Sequence, residues 1–146
     1  MSYQDLVAGQ RDWVNQINTN FHSQTISDTG AVYDSVQGLN GFDGKNMIYR
    51  EITLASGLKT VYFCGWENNI PNVPKQSGVE AFKLPINWKT SGYYTNVSQV
   101  SNGTKELQQL LKLDPSTGVV WFTNPYDYDI SNFSAGMSLV TTQVGV

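Results

Sequence analysis

The chain has 146 residues, which fits one folded domain and leaves little room for a second complete core. Asn, Ser, Thr and Gln together number 48, more than twice the 21 charged residues, whereas charged residues usually make up about a quarter of a protein. The net charge of -3, without a Lys/Arg cluster, excludes general nucleic-acid binding, because that binding neutralises phosphates. With 40% hydrophobic and 12% aromatic residues the chain can build a packed core, so global disorder is excluded too.

Several kinds of site lack the residues they require. No stretch approaches the roughly 20 apolar residues of a membrane helix, and MSYQDLVAGQRD has no export-signal pattern, so we expect neither membrane insertion nor a cleavable signal. A single cysteine, Cys64, and a single histidine, His22, exclude internal disulfides and Cys/His metal cages. We therefore expect no metal and no cofactor. Cys64 lies in the apolar run VYFCGW, which predicts a buried structural thiol.

The N-terminal residues have helical periodicity. Ser2 is a suitable N-cap, and apolar residues then recur at steps of three, four and seven: Tyr3, Leu6, Val7, Trp13, Val14, Ile17 and Phe21. In heptad terms Leu6, Trp13 and Ile17 share a seam with two polar residues, and polar seam residues can fix register and oligomer number. A helix this short must pack on something. Two alternatives stay open, docking on its own domain or bundling with other copies, and we predict Leu6, Trp13 and Ile17 as oligomerisation residues.

The remainder of the chain predicts strands. We assign residues 1–22 to the helix, 23–45 to a linker with a short strand near Ala31 to Val36, and 46–146 to a β-domain. NMIYREITL and LKTVYFCGW flank the turn ASG and alternate in polarity, which predicts a hairpin. VEAFKLP, the segment from Tyr94 to Val100 and the tail MSLVTTQV predict three more strands.

KELQQLLKLDPSTGVVWFTN fits either a hairpin or a short helix followed by a strand. We favour the hairpin because DPSTG is a tight-turn sequence in which Gly118 supplies a positive φ. About seven short strands separated by turns predict a mainly β fold, an antiparallel β-sandwich or barrel-like domain after the N-terminal helix.

Aromatic residues beside amides are the first candidates for a binding site. Sugars present apolar C–H faces and fixed hydroxyls, which aromatic rings and neighbouring Asn or Asp side chains can bind. Trp66 and Trp121 end apolar runs and are expected in the core. The aromatic residues expected at the surface are Trp88, Tyr93, Tyr94, Tyr126 and Tyr128. The predicted ligand-binding set is Trp88, Tyr93, Tyr94, Asn124, Tyr126, Asp127, Tyr128 and Asp129.

Carboxylates offer a second kind of site. Glycoside cleavage would require two carboxylates held across a cleft, and the nearest candidates are Asp127 and Asp129, together with Glu67. In an extended segment Asp127 and Asp129 would share a face, which would also suit Ca²⁺ or sugar hydroxyls. The favoured interpretation is a solvated loop, because the other ligands of a calcium loop are not recognisably spaced. We predict no catalytic residues.

The segment from Trp13 to Phe21, which ends in INTNF, resembles the helix found before the β-modules of tail-fibre and baseplate proteins of phages and prophages of Gram-positive bacteria. KLDPSTGVVWFTN and the polar, glycine-rich strands are similar in style to modules of those tails. The resemblance implies a virion tail location, a homotrimer, contacts with other tail or baseplate proteins and recognition of a host cell-wall saccharide. It transfers no binding residue to this chain.

The leading hypothesis is therefore a non-enzymatic, receptor-binding tail or baseplate protein. One alternative is a purely structural virion or tail subunit without a ligand. A second alternative, from a different class, is a glycan hydrolase or lyase that uses Asp127 or Asp129.

Overall fold

The computed structural model describes residues 25–89, 94–101, 106–132 and 134–143. Within them lie nine β-strands: β1 (Thr25–Asp28), β2 (Gln37–Gly38), β3 (Met47–Leu54), β4 (Lys59–Glu67), β5 (Ser77–Lys83), β6 (Tyr94–Ser101), β7 (Glu106–Asp114), β8 (Val119–Asn124) and β9 (Ala135–Gln143). The helix predicted for residues 1–22 lies outside the described residues, as do its seam residues Leu6, Trp13 and Ile17. No helix in the described part of the chain is long and apolar enough to cross a membrane.

The strands pair in the order β1-β3-β4-β9-β6-β7-β8-β5-β2, and all the pairs are antiparallel. β9 and β6 are joined at Ser101 and Gly136. The sheet folds over on itself, since Phe63 of β4 and Phe82 of β5 are separated by several strands in the order yet have ring centroids 5.4 Å apart. The mainly β, antiparallel, sandwich-like class predicted from sequence is therefore confirmed.

The core lies between the two halves of this folded sheet. Met47 and Tyr49 of β3, with Val61 and Phe63 of β4, are buried from one half. The other half contributes Phe82, Leu111, Leu113, Val120 and Phe122. Alternation along β3, β4 and β8 produces this arrangement, because neighbouring side chains of a strand point to opposite faces. In β5 the register shifts between Glu80 and Phe82, and both Ala81 and Phe82 are buried.

Both predicted hairpins are present. β3 pairs with β4 from Met47 opposite Gly65 to Thr53 opposite Lys59. β7 pairs with β8, so ELQQLLKL is a strand and not a helix, and Gly118 in the turn has the predicted positive φ, at 76°. The strands expected in VEAFKLP, from Tyr94 and in the tail correspond to β5, β6 and β9.

The segment predicted as a linker differs in detail. The strand expected near Ala31 to Val36 was wrong: within that range only Val32 pairs, in an isolated bridge to Tyr49. Strands form on either side of it instead, as β1 and β2. Val36 and Phe42 are buried in the core, so turns and single buried side chains attach this segment to the sheet. The proposed domain limits at residues 22 and 45 stay predictions.

Candidate functional site

A loop of exposed aromatic and acidic residues directly follows β8. We call residues 125–129 the tyrosine loop. Its two tyrosines, Tyr126 and Tyr128, stack with ring centroids 5.1 Å apart and planes inclined by 21°. Tyr126 is partly buried against the core, whereas Tyr128 is 44% exposed. The loop therefore presents one tyrosine ring to solvent, supported from behind by another.

Asn124, the last residue of β8, anchors the tyrosine loop from inside. Its side chain is fully buried, and its Nδ2 donates to the carbonyl oxygens of Val73, Pro74 and Tyr128 at 3.1, 3.2 and 2.8 Å. Its Oδ1 accepts from the Tyr126 backbone N–H at 2.9 Å. Buried polar groups are strongly favoured when paired in this way. Asn124 belongs to the predicted ligand-binding set, but its amide is buried and connects two loops.

Further hydrogen bonds join the tyrosine loop to residues 73–76. The Gln76 N–H donates to the Tyr126 carbonyl at 3.0 Å, and the Lys75 N–H donates to Asp129 Oδ1 at 2.9 Å. Asp127 is exposed. These contacts arrange Tyr128, Asp127 and Asp129 on an ordered surface with both stacking area and acceptor oxygens. Among the described residues there is no group of three or more His, Cys, Asp or Glu side chains that could hold a metal ion.

Trp88 was expected at the surface, and this prediction was wrong. Its side chain is only 2% exposed, and its indole Nε1–H donates to Glu51 Oε2 at 2.9 Å. The indole thus fills the core while its polar atom is satisfied by β3. Tyr93 lies outside the described residues, and Tyr94 begins β6, although its side chain is not described. Of the predicted ligand-binding set, the structure brings together Asn124, Tyr126, Asp127, Tyr128 and Asp129.

Glu67, a third candidate carboxylate, has a structural role. It is 1% exposed, and its two carboxylate oxygens accept backbone N–H bonds from Asp43 and Gly44. Burial raises the pKa of Glu67, while the two backbone hydrogen bonds oppose that rise. The carboxylate therefore holds the turn after β2 against the end of β4.

Sequence reasoning missed a second surface, on the side of the sheet that faces away from the core. We call it the outer face: Ile48, Ile52, Tyr62, Cys64, Trp66 and Val140, from β3, β4 and β9. Trp66 and Cys64 were expected to be buried, but both are exposed, Trp66 at 41%. Alternation along β4 gives the reason, because Val61 and Phe63 occupy the core side and leave Tyr62, Cys64 and Trp66 on the other. Trp121, also expected in the core, is half-buried.

No protein-family model matches the chain, and no curated protein matches it. Among solved structures it is similar to the head domain of phage bIL170, from work on the receptor-binding domains of lactococcal phages. The alignment covers 80% of this chain and 100% of that chain, with a TM-score of 0.56 and 14% identity. The nine-stranded arrangement described above is therefore similar to the fold of a phage receptor-binding head domain.

Proposed function

We propose that this protein is a non-enzymatic receptor-binding protein of a phage or prophage tail, and that its tyrosine loop binds a saccharide of the host cell surface. The fold likeness to a phage receptor-binding head domain supports the first part. The observation that carries the second part is the exposed ring of Tyr128, stacked on Tyr126 and flanked by Asp127 and Asp129.

The chemistry of the loop suits an uncharged, hydroxyl-rich ligand. The face of an aromatic ring packs against the C–H face of a sugar, and carboxylate oxygens accept hydrogen bonds from its hydroxyls. Because Asn124 and Tyr126 hold the loop before a ligand arrives, little conformational entropy is lost on binding. The rest of the proposal follows from the sequence resemblance: a homotrimer assembled through Leu6, Trp13 and Ile17, located in the virion tail and in contact with other tail or baseplate proteins.

The test is binding of the purified full-length protein to cell-wall polysaccharide extracted from Gram-positive strains, lactococcal strains among them. Tyr128→Ala should weaken binding by roughly tenfold or more, since a ring of this size contributes about 1.5 kcal/mol when it is covered. The matched control is Tyr33→Ala, because Tyr33 is also exposed but lies far along the chain from the tyrosine loop. Equal binding by the wild type and Tyr128→Ala would refute the assignment of the site.

The outer face favours a second candidate function, a purely structural tail subunit, because exposed apolar surface is typical of assembly contacts. That candidate predicts intact oligomers that bind no polysaccharide and no host cells. The alternative of a glycan hydrolase or lyase that uses Asp127 or Asp129 stays a prediction: Glu67 and Asp129 accept backbone N–H groups, whereas Asp127 is exposed. Loss of polysaccharide turnover on Asp127→Asn would support it, and absence of turnover by the wild type would refute it.

A further inference from the structure

The outer face exposes several large apolar side chains, although the chain as a whole is rich in polar residues. Tyr62 pairs with Val140 across β4 and β9, and Cys64 pairs with Ile48 across β4 and β3, so these side chains are neighbours on one face. Two polar residues share that face, Arg50 opposite Tyr62 and Ser138 opposite Cys64. Tyr62 and Val140 are 44% and 48% exposed. Trp66 extends the apolar part of this face over Gly136, where an added Cβ would lie 3.6 Å from the indole ring.

Part of this surface is concave. A cleft of about 280 Å³ is lined by Ala31 and by β3 and β4, with the outer-face residues Ile48, Ile52, Tyr62 and Cys64 among its walls. Arg50, which is paired with Asp28 at 2.6 Å, also lines the cleft. The cleft therefore combines apolar walls with one ion-paired arginine, a combination that suits an amphipathic segment.

The course of the chain brings such a segment to this surface. β1 is the edge strand beside β3, and Thr25 lies opposite Leu54, so β1 begins at the turn end of the β3–β4 hairpin. The 20 residues from 2 to 21 would span about 30 Å as a helix. The eight residues of β3 span about 27 Å. A helix that turns back from β1 thus matches the length of the outer face.

The apolar pattern of residues 2–21 is wider than a coiled-coil seam requires. Beside the seam of Leu6, Trp13 and Ile17 runs a second stripe with heptad spacing, Val7, Val14 and Phe21. A helix with this second apolar stripe is typical of packing on a globular surface, whereas a plain coiled coil uses the seam alone. The second stripe therefore calls for a partner surface of its own.

We propose that residues 2–21 dock as a helix on the outer face of their own β-domain, with Val7, Val14 and Phe21 against the cleft. Docking buries the two apolar surfaces against each other, and it leaves Leu6, Trp13 and Ile17 available for contacts between copies. This inference does not depend on the proposed receptor-binding function.

Cys64 provides the probe, because it is the only cysteine of the chain and lies in the cleft. In the full-length protein its reaction with a bulky thiol reagent should be slow. Val14→Asp should accelerate the reaction by about tenfold or more, the factor expected when 1.4 kcal/mol of docking free energy is lost. Asn15→Asp is the matched control, since it adds the same charge on the polar side of the predicted helix and should leave the rate unchanged.

Three results would overturn the proposal: a wild-type rate as fast as that of Val14→Asp, equal acceleration by Asn15→Asp, or protection of Cys64 that is lost on dilution. The last result would assign the outer face to a second copy. Because Val14→Asp could also act by unfolding the protein, a second variant is needed. Val14→Cys should form an intramolecular disulfide with Cys64 under mild oxidation, whereas Asn15→Cys should not. A disulfide between chains in place of an internal one would contradict docking within one chain.

Discussion

Replacing Asn124 tests how the tyrosine loop is held. Asn124→Ala removes the amide that donates to three carbonyl oxygens and accepts the Tyr126 N–H. An amide nitrogen has only two hydrogens, so the three carbonyls share two of them, and the side chain makes about three full hydrogen bonds. At roughly 1 kcal/mol for each bond, the free energy of unfolding should fall by about 3 kcal/mol. For a domain of this size the midpoint of thermal unfolding should fall by roughly 6 to 12 °C.

The assay is urea unfolding followed by tryptophan fluorescence, with Asn72→Ala as the control. Asn72 is exposed, so that substitution should change stability by at most about 0.5 kcal/mol. Polysaccharide binding by Asn124→Ala should weaken as well, because the loop is no longer held before the ligand arrives. If Asn124→Ala were as stable as Asn72→Ala, the inferred role of the buried amide would be incorrect.

Asn124→Asp tests the same buried side chain through the pH dependence of stability. A carboxylate at this position would face carbonyl oxygens in a buried site, which raises its pKa above the unfolded value. The variant should therefore be least stable at neutral pH and should regain stability as the pH falls toward the unfolded pKa of about 4. A stability difference from wild type that did not change with pH would contradict the burial of this side chain.

The other predictions concern single turns and ion pairs. Gly118 and Gly30 both have positive φ, but an added Cβ would lie 2.1 Å from a backbone oxygen at Gly118 and would meet nothing at Gly30. Gly118→Ala should therefore lower the free energy of unfolding, measured in urea, more than Gly30→Ala does. For Gly30→Ala the left-handed backbone alone costs about 1–2 kcal/mol. Equal decreases in the two variants would contradict this geometry. The pKa of Asp28 is about 2, below its usual value of 3.8, chiefly because Arg50 donates hydrogen bonds to the carboxylate. The stability that this ion pair contributes is therefore lost as the pH falls from 3.8 toward that value. Arg50→Met should raise this pKa toward 3.8 in a carboxyl NMR titration, and an unchanged midpoint would refute the pairing. Since burial raises the pKa of Glu67, the wild type should gain stability relative to Glu67→Gln as the pH falls from 7 to 4.5. If the stability difference between the two proteins did not change over this range, Glu67 would not be a buried ionisable group.

The fold could be predicted from sequence where alternating polarity and a turn sequence indicated the same hairpin. The β3–β4 and β7–β8 hairpins follow from alternation on both sides of ASG and DPSTG, because strand period and turn chemistry are both local properties. β1 and β2 have only four and two residues, too few for any periodicity to be visible. They form because β3 and β5 offer edges to pair with, and such pairing is a property of the whole sheet.

Burial of the tryptophans could not be predicted from their neighbours alone. Trp88 follows Asn87 in a polar segment, yet its indole is covered and bonded to Glu51, which lies 37 residues earlier in the chain. Trp66 ends an apolar run, yet it is exposed because its strand has only one core side. Applying alternation consistently along β4 would have placed Trp66 and Cys64 with Tyr62, so this signal was present in the sequence.

Some of the many uncharged polar residues have a structural role, which is to hydrogen-bond backbone and ring groups in the loops. Asn124 joins the tyrosine loop to residues 73–76, Asn40 Nδ2 donates to the Glu80 carbonyl at 2.9 Å, and Asn68 Oδ1 accepts the Trp66 indole N–H at 3.1 Å. Each amide thus satisfies a backbone or ring group where regular strand pairing stops. A β-fold with short strands and many loops has many such groups, and a neutral amide can pair with them without the desolvation penalty of a charge. Composition alone therefore predicts a surface of hydrogen-bonding groups, but only the burial of each side chain separates the amides that hold loops from the residues, such as Tyr128 and Asp127, that remain open to a ligand.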